Sequence, residues 1–292
     1  MTETTTNRAG HYRGFSRQAQ IDAAYNPSLN HPSASDLIAG YAARSLETRR
    51  QWPHFQTLRY GHHPRATLDF FSARNGLAPL VVFIHGGYWR ALSSDSFSFM
   101  ANALVPAGHH VAIINYPLLP EVRLSIQIAA IQSALVWLWQ HHSTLQIARD
   151  HIHLAGHSAG GHLVACCLTT RWPDFGLPQN PWARALCISG LFDLAPFPHS
   201  WLQPEVQFRD ADVAQCSPLF QPIPTGCSTL AAVGAKESSE FARQSQLWQG
   251  RLNQLQPSFV HQFAVIAEHD HFTILDEIAQ GTGVTYDFLT AH

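Results

Sequence analysis

Apolar and polar positions divide the chain into two regimes. Residues 1–55 are polar, helix-like in patches, and show no sustained period. From Phe55 onward, short apolar runs alternate with longer stretches of helical spacing. Phe55–Tyr60 and Ala66–Phe71 are strand candidates split by Gly61-His62-His63-Pro64, a spacing that suits a hairpin or meander. Pro79–Ile84 is the compact, β-branched run expected of a strand buried on both faces. Further strands are predicted at Val111–Asn115, His151–Ala155, Ala185–Ser189, Thr229–Val233 and Phe259–Ile266. Helices fall between them. One is predicted from Asp95 to about Val105, capped by Ser94 or Asp95 and stopped by Pro106 and Gly108. The clearest spans Leu124 to about Gln140, where Leu124, Ile128, Ile131, Leu135 and Leu138 make one apolar face. Others start near Ser158, cover Ser239–Leu255, and close the chain at Phe272–Ala279 and Val284–Thr290. This alternation predicts an α/β fold, a mostly parallel central sheet with helices on both faces.

The pattern also sets the domain organisation. Residues 1–55 read as an N-terminal polar and helical extension packing near the site, and 56–292 as the α/β domain. Between Leu191 and Cys227 the rhythm breaks, with prolines at 196, 198, 204, 218, 222 and 224. Long irregular excursions are usually functional or disordered. This one, 191–227, is read as an insertion forming a partial wall over the active site.

Composition narrows the partners. Charged residues are 13% and the formal net charge is −2, so there is no basic excess to neutralise a phosphate backbone. Hydrophobic residues are 46%, too many for a disordered chain. The five cysteines, Cys166, Cys167, Cys187, Cys216 and Cys227, include no C-x-x-C pair, and three sit in apolar runs. That favours free thiols in a reducing compartment over a disulfide framework. No apolar export segment opens the sequence and no run approaches the length of a membrane span. The expectation is a cytoplasmic protein.

Candidate chemistry begins at Gly156-His157-Ser158-Ala159-Gly160, a G-x-S-x-G pentapeptide with a predicted strand before it and a helix after it. In that context the turn pushes the Ser158 hydroxyl out of the sheet at a helix N-terminus, where developing negative charge is favoured. Upstream, His85-Gly86-Gly87-Tyr88-Trp89 follows the buried strand at Pro79–Ile84. Adjacent glycines there leave backbone N–H groups uncovered, as an oxyanion hole requires. The donors are assigned to Gly87 and Tyr88, with Ala159 as the third. A serine at its free pKa needs a base. His269 and His271 both follow the last predicted strand, and His271 is the choice because it opens the closing helix. An acid should orient it. Glu237, after the strand at Thr229–Val233, is the candidate, Asp193 competes, and Asp270 is too near the histidine in sequence.

With these residues in place, the chain resembles the α/β-hydrolase fold family, and within it the serine-dependent kynurenine formamidases (arylformamidases) and their bacterial esterase-like relatives. The resemblance runs from about Tyr25 to the C-terminus. It is carried by His85–Trp89, Gly156–Leu163, the Ser189–Leu194 segment, the Val233–Phe241 acid loop and Asp270-His271-Phe272. It implies that Asp193 is not the acid and that Glu237 is, with Glu where the animal enzymes carry Asp. The implied activity is hydrolysis of a carboxylic ester or an N-formyl aryl amide through an acyl-enzyme. A general carboxylesterase with no kynurenine role, and a non-catalytic binding protein on the same fold, are the alternatives.

Histidines are frequent, 19 in all, and several occur in pairs. His269-Asp270-His271 is suggestive of a metal, but no H-E-x-x-H or H-x-H-x-D-H run accompanies it, and His151 with His153 supplies only two ligands. No metal site and no cofactor are expected. Tyr88, Trp89 and Phe192, with Trp201, lie on segments expected around the nucleophile. They are read as the walls of a pocket for a flat, aromatic or apolar small molecule. No nucleic acid and no membrane is expected as partner, and nothing in the sequence opposes a homodimer.

Overall fold

A computed structural model describes residues 12–291, apart from Asn30 and Asn75. Eight strands form one sheet: β1 Gln56–Arg59, β2 Thr67–Phe71, β3 Ala78–Ile84, β4 His110–Ile114, β5 Ile147–His157, β6 Arg184–Ile188, β7 Ser228–Gly234 and β8 His261–Ile266. Their spatial order is β1-β2-β4-β3-β5-β6-β7-β8. β1 and β2 pair antiparallel, β2 runs antiparallel to β4, and the rest of the ladder is parallel. Helices cover both faces, so β4 is buried throughout and β3 nearly so. Two apolar clusters result, one on each side of the sheet.

Local pattern accounts for most elements. The helix Leu124–Gln140 buries Leu124, Ile131, Leu135 and Leu138, while Ile128 stays partly exposed. The helix Ser239–Leu255 buries Phe241, Trp248 and Leu252. Three segments depart from expectation. The helix expected at Asp95–Val105 is broken into 3₁₀ turns at Ser94–Ser96 and Ser98–Met100 and a short helix Ala101–Leu104. Side-chain bonds compete with the helix there. Ser94 donates from Oγ to Asp69 at 2.6 Å, its N–H donates to the Asn115 side chain, and Ser98 Oγ accepts from Arg49. β5 begins four residues earlier than its apolar run, because Ile147 pairs with Ala78 before a register shift carries Ala148–His151 outward. The closing segment starts as a 3₁₀ turn, Thr273–Leu275, ahead of the helix Asp276–Gln280.

The excursion at 191–227 contains short helices at Gln203–Val206 and Asp210–Cys216. It buries Leu191, Phe192, Leu194, Phe197, Leu202 and Phe208 in the larger core cluster. Residues ahead of β1 form two helices, Gln18–Tyr25 and Ala34–Gln51. The turn between them lies across the C-terminal ends of the strands, where open parallel sheets gather their ligand sites.

Candidate active site

β5 ends at His157, and the helix Ala159–Leu168 begins two residues later. Ser158 between them adopts φ 57° and ψ −119°, a strained conformation for a residue with a side chain. Its N–H donates to the Ile188 carbonyl of β6 at 2.8 Å. So tight a turn needs close backbone approach. A Cβ at Gly160 would lie 1.9 Å from the Ile84 carbonyl oxygen, and one at Gly86 would lie 3.1 Å from Ser158 Cβ. Glycine at both positions lets the loop after β3 sit directly against the turn. The helix start leaves the Ala159 N–H without an intrahelical acceptor. In the neighbouring loop the Gly87 carbonyl accepts from the N–H groups of Arg90 and Ala91, and Tyr88 and Trp89 take φ 48° and 60°.

His271 follows β8 and is 5% exposed. Its Nδ1 lies 2.7 Å from Glu237 Oε2. The other oxygen of that carboxylate accepts from Ser189 Oγ at 2.6 Å and from the Gly234 N–H at 2.7 Å. Asp193 lies elsewhere. It accepts from the Tyr12 hydroxyl and the Ala195 N–H, both at 2.9 Å. Asp270 shapes the histidine loop: its Oδ1 accepts from the Phe272 and Thr273 N–H groups, and its Oδ2 faces His31 Nε2 at 3.0 Å. These hydrogen bonds hold the Asp270 carboxyl below its usual range against the opposing effect of burial.

Ser158, His271, Gly86, Gly87 and Tyr88 line one cleft of about 80 Å³. Pro27, Ser28, Ile38 and Tyr41 of the N-terminal region add to its walls, together with Leu92, Phe97, His157 and Phe272. A second cavity of about 230 Å³ adjoins it, sharing Pro27, His271 and Phe272.

This geometry has counterparts. The BD-FAE family profile matches residues 68–173. Kynurenine formamidase from Danio rerio is 28% identical over 89% of this chain and 90% of its own length. A plant relative, the isoprenylcysteine alpha-carbonyl methylesterase of Arabidopsis thaliana, is 31% identical over 37% of this chain and 26% of its own. Among solved structures, a Silicibacter sp. TM1040 protein assigned provisionally as a thioesterase superposes with TM-score 0.81 at 27% identity, covering 93% of this chain and 99% of that one. Esterase B from Lactobacillus Rhamnosis shares the fold at TM-score 0.61 and 21% identity, over 80% of this chain and 83% of its own. The chain has the α/β-hydrolase fold. Its relatives are formamidases and esterases.

Two of the aromatic residues expected from sequence in the pocket wall lie in the core instead. Trp89 is wholly buried, donating from Nε1 to His162 Nδ1 at 3.1 Å and packing on Phe197 and Phe208. Phe192 is also wholly buried, stacked on Trp248 at 5.2 Å. Trp89 is held in the core by His162 and Phe197, and Phe192 by Trp248 of the helix Ser239–Leu255. Tyr88 does line the cleft, and its hydroxyl donates to the Tyr25 carbonyl. The 191–227 excursion stands behind the cleft lining. Among the described residues lining the cleft none comes from it, and it reaches the site only by packing Phe197 and Trp201 behind Tyr88. Sequence reasoning missed Pro27, Ser28, Ile38 and Tyr41 as individual wall residues, since no local motif marks them. It also missed Ser189, whose only signal is its place at the end of β6 beside a strand carrying an acid loop.

Proposed function

We propose that this hydrolase cleaves a carboxylic ester or an N-formyl aryl amide by serine-based acyl transfer. The observation that carries the reading is the buried His271–Glu237 pair at 2.7 Å, whose histidine lines the cleft that also holds the strained Ser158. Ser158 Oγ attacks the carbonyl carbon and its proton passes to His271 Nε2. Glu237 holds the proton on Nδ1 and stabilises the imidazolium without taking the proton itself. The oxyanion accepts from the N–H groups of Gly87, Tyr88 and Ala159. Collapse expels the amine or alcohol, which leaves with the proton from His271. Water then repeats the sequence on the acyl-enzyme and releases the carboxylic acid. A cleft of about 80 Å³ suits a formyl or short acyl group. The Danio rerio relative puts N-formylkynurenine on the substrate panel, and the Silicibacter structure adds a thioester.

The test is hydrolysis of that panel alongside p-nitrophenyl esters of rising chain length, with labelling by a fluorophosphonate. Ser158→Ala should lower kcat by about 10⁴–10⁶-fold and abolish labelling while the melting temperature holds. Wild-type protein that stays unlabelled while a control hydrolase labels would overturn the serine mechanism and leave a binding protein as the better reading.

A further inference from the structure

His157, the residue between Gly156 and Ser158, takes no part in the acyl transfer set out above. It is 4% exposed, and its Nε2 lies 2.8 Å from the His271 carbonyl oxygen, 114 positions along the chain. The two imidazole centroids are 4.7 Å apart. A carbonyl can only accept, so the proton of the His157 ring is assigned to Nε2 and donates to it. Burial, reinforced by the neighbouring His271, keeps the His157 ring neutral, with its pKa well below the ordinary value.

The topology explains why such a bond matters. Ser158 follows β5 and His271 follows β8, with β6 and β7 between them. At about 4.8 Å per strand, the two strands are roughly 14 Å apart and share no ladder. Among the described residues the other bonds of the histidine loop leave the His271 carbonyl itself untouched: Glu237 takes the ring, Asp270 takes the N–H groups of Phe272 and Thr273, and the Tyr41 hydroxyl takes the Phe272 carbonyl at 2.6 Å. His157 is rooted in the rigid end of β5 and reaches across to that carbonyl.

We propose that His157 is a positioning residue, whose Nε2–H, bonded to the His271 carbonyl, sets the separation between the nucleophile turn and the general-base loop. The inference rests on the serine mechanism proposed above. It predicts a difference between two amides. Gln at this position can place its side-chain N–H where Nε2 stands, whereas Asn reaches only as far as Nδ1.

The experiment compares His157→Gln and His157→Asn in the full chain with p-nitrophenyl acetate. A misplacement of about 1 Å costs roughly 10²-fold in rate. His157→Asn should therefore lose about 10²-fold in kcat with KM little changed, and His157→Gln should recover at least tenfold of that loss. A Gln variant no faster than the Asn variant overturns the inference, as does an Asn variant with wild-type kcat or a loss carried by KM. Ser158→Ala in the same assay separates the two claims. If it stays active, the serine mechanism falls and this inference with it; if it is dead while the Gln and Asn variants match, only the role of His157 falls. Should neither variant fold, ¹⁵N-histidine NMR of the wild type decides: a neutral Nε2–H tautomer is expected, and an Nδ1–H tautomer overturns the assignment.

Discussion

Each carboxylate oxygen of Glu237 has its own partners. Oε2 meets His271 Nδ1 at 2.7 Å, and Oε1 accepts from Ser189 and Gly234. Glu237→Gln would set an amide against these donors and can stabilise the wrong tautomer of His271. The expected result is a fall in kcat of about 10³–10⁴-fold in steady-state assays. Asp193 makes the contrast. It ties the Tyr12 hydroxyl to the loop after β6, and its backbone is held by the Gln244 side chain. Asp193→Asn is expected to cost about 1–2 kcal/mol in urea unfolding while kcat stays near wild type. A dead, well-folded Asp193→Asn beside a near-normal Glu237→Gln would reverse the assignment. The sequence makes Glu237 the candidate and Asp193 its competitor, because each follows a strand at the same end of the sheet. The pairing of β7 with β8 puts the Glu237 loop beside the His271 loop, and β6 lies one strand further away.

The strand–turn–helix around Ser158 depends on how closely it meets β3. Gly160 sits in the helix with no need of an unusual φ, so the case against a side chain there is steric. An alanine Cβ would stand 1.9 Å from the Ile84 carbonyl oxygen, backbone that cannot rotate aside. Gly160→Ala is expected to destabilise the protein by about 3 kcal/mol or more, or to prevent folding, read from denaturant midpoints or soluble yield. Wild-type stability in that variant would show that the helix can slide on the sheet. Elements with a sustained local period were legible to the residue, as in Leu124–Gln140 and Ser239–Leu255. The stretch after Ser94 was not, because its polar side chains bond to Asp69, Asn115 and Arg49 from distant parts of the chain.

Over the whole molecule, burial turns several histidines into a pH device. The chain has 19, and the structure places several where an ordinary imidazole cannot charge. Burial pushes His85 and His153 down to about 3 and His162 to about 4. His162 is fixed between the Trp89 Nε1–H and the Cys216 carbonyl, and His85 stacks on Tyr116 at 4.3 Å. In the unfolded chain these rings take up protons near pH 6.5, and in the folded one only near 3–4. The unfolded state therefore binds more protons between those limits. The stability they confer is complete above about pH 6.5 and is lost as pH falls toward their folded values. Each ring contributes a slope on the order of 1 kcal/mol per pH unit in that window. Urea midpoints at pH 7, 6 and 5 should fall steeply, and a flat profile would mean that these rings charge in place.

The sequence by itself determined the alternation of strands and helices and the turn at Ser158, since each of these is written in contiguous residues whose spacing reflects local geometry. It could not say which aromatic side chains face the cleft. Tyr88 and Trp89 are neighbours with similar backbone angles, yet one lines the cleft and the other is wholly buried against His162 and Phe197. Nor could it name the wall residues Pro27 and Tyr41, or the bonds that Ser189 and His157 make. These depend on which loops the sheet order brings side by side and on what fills the space behind each residue. Contacts between residues far apart in the chain leave no periodicity, so only the tertiary structure decides them.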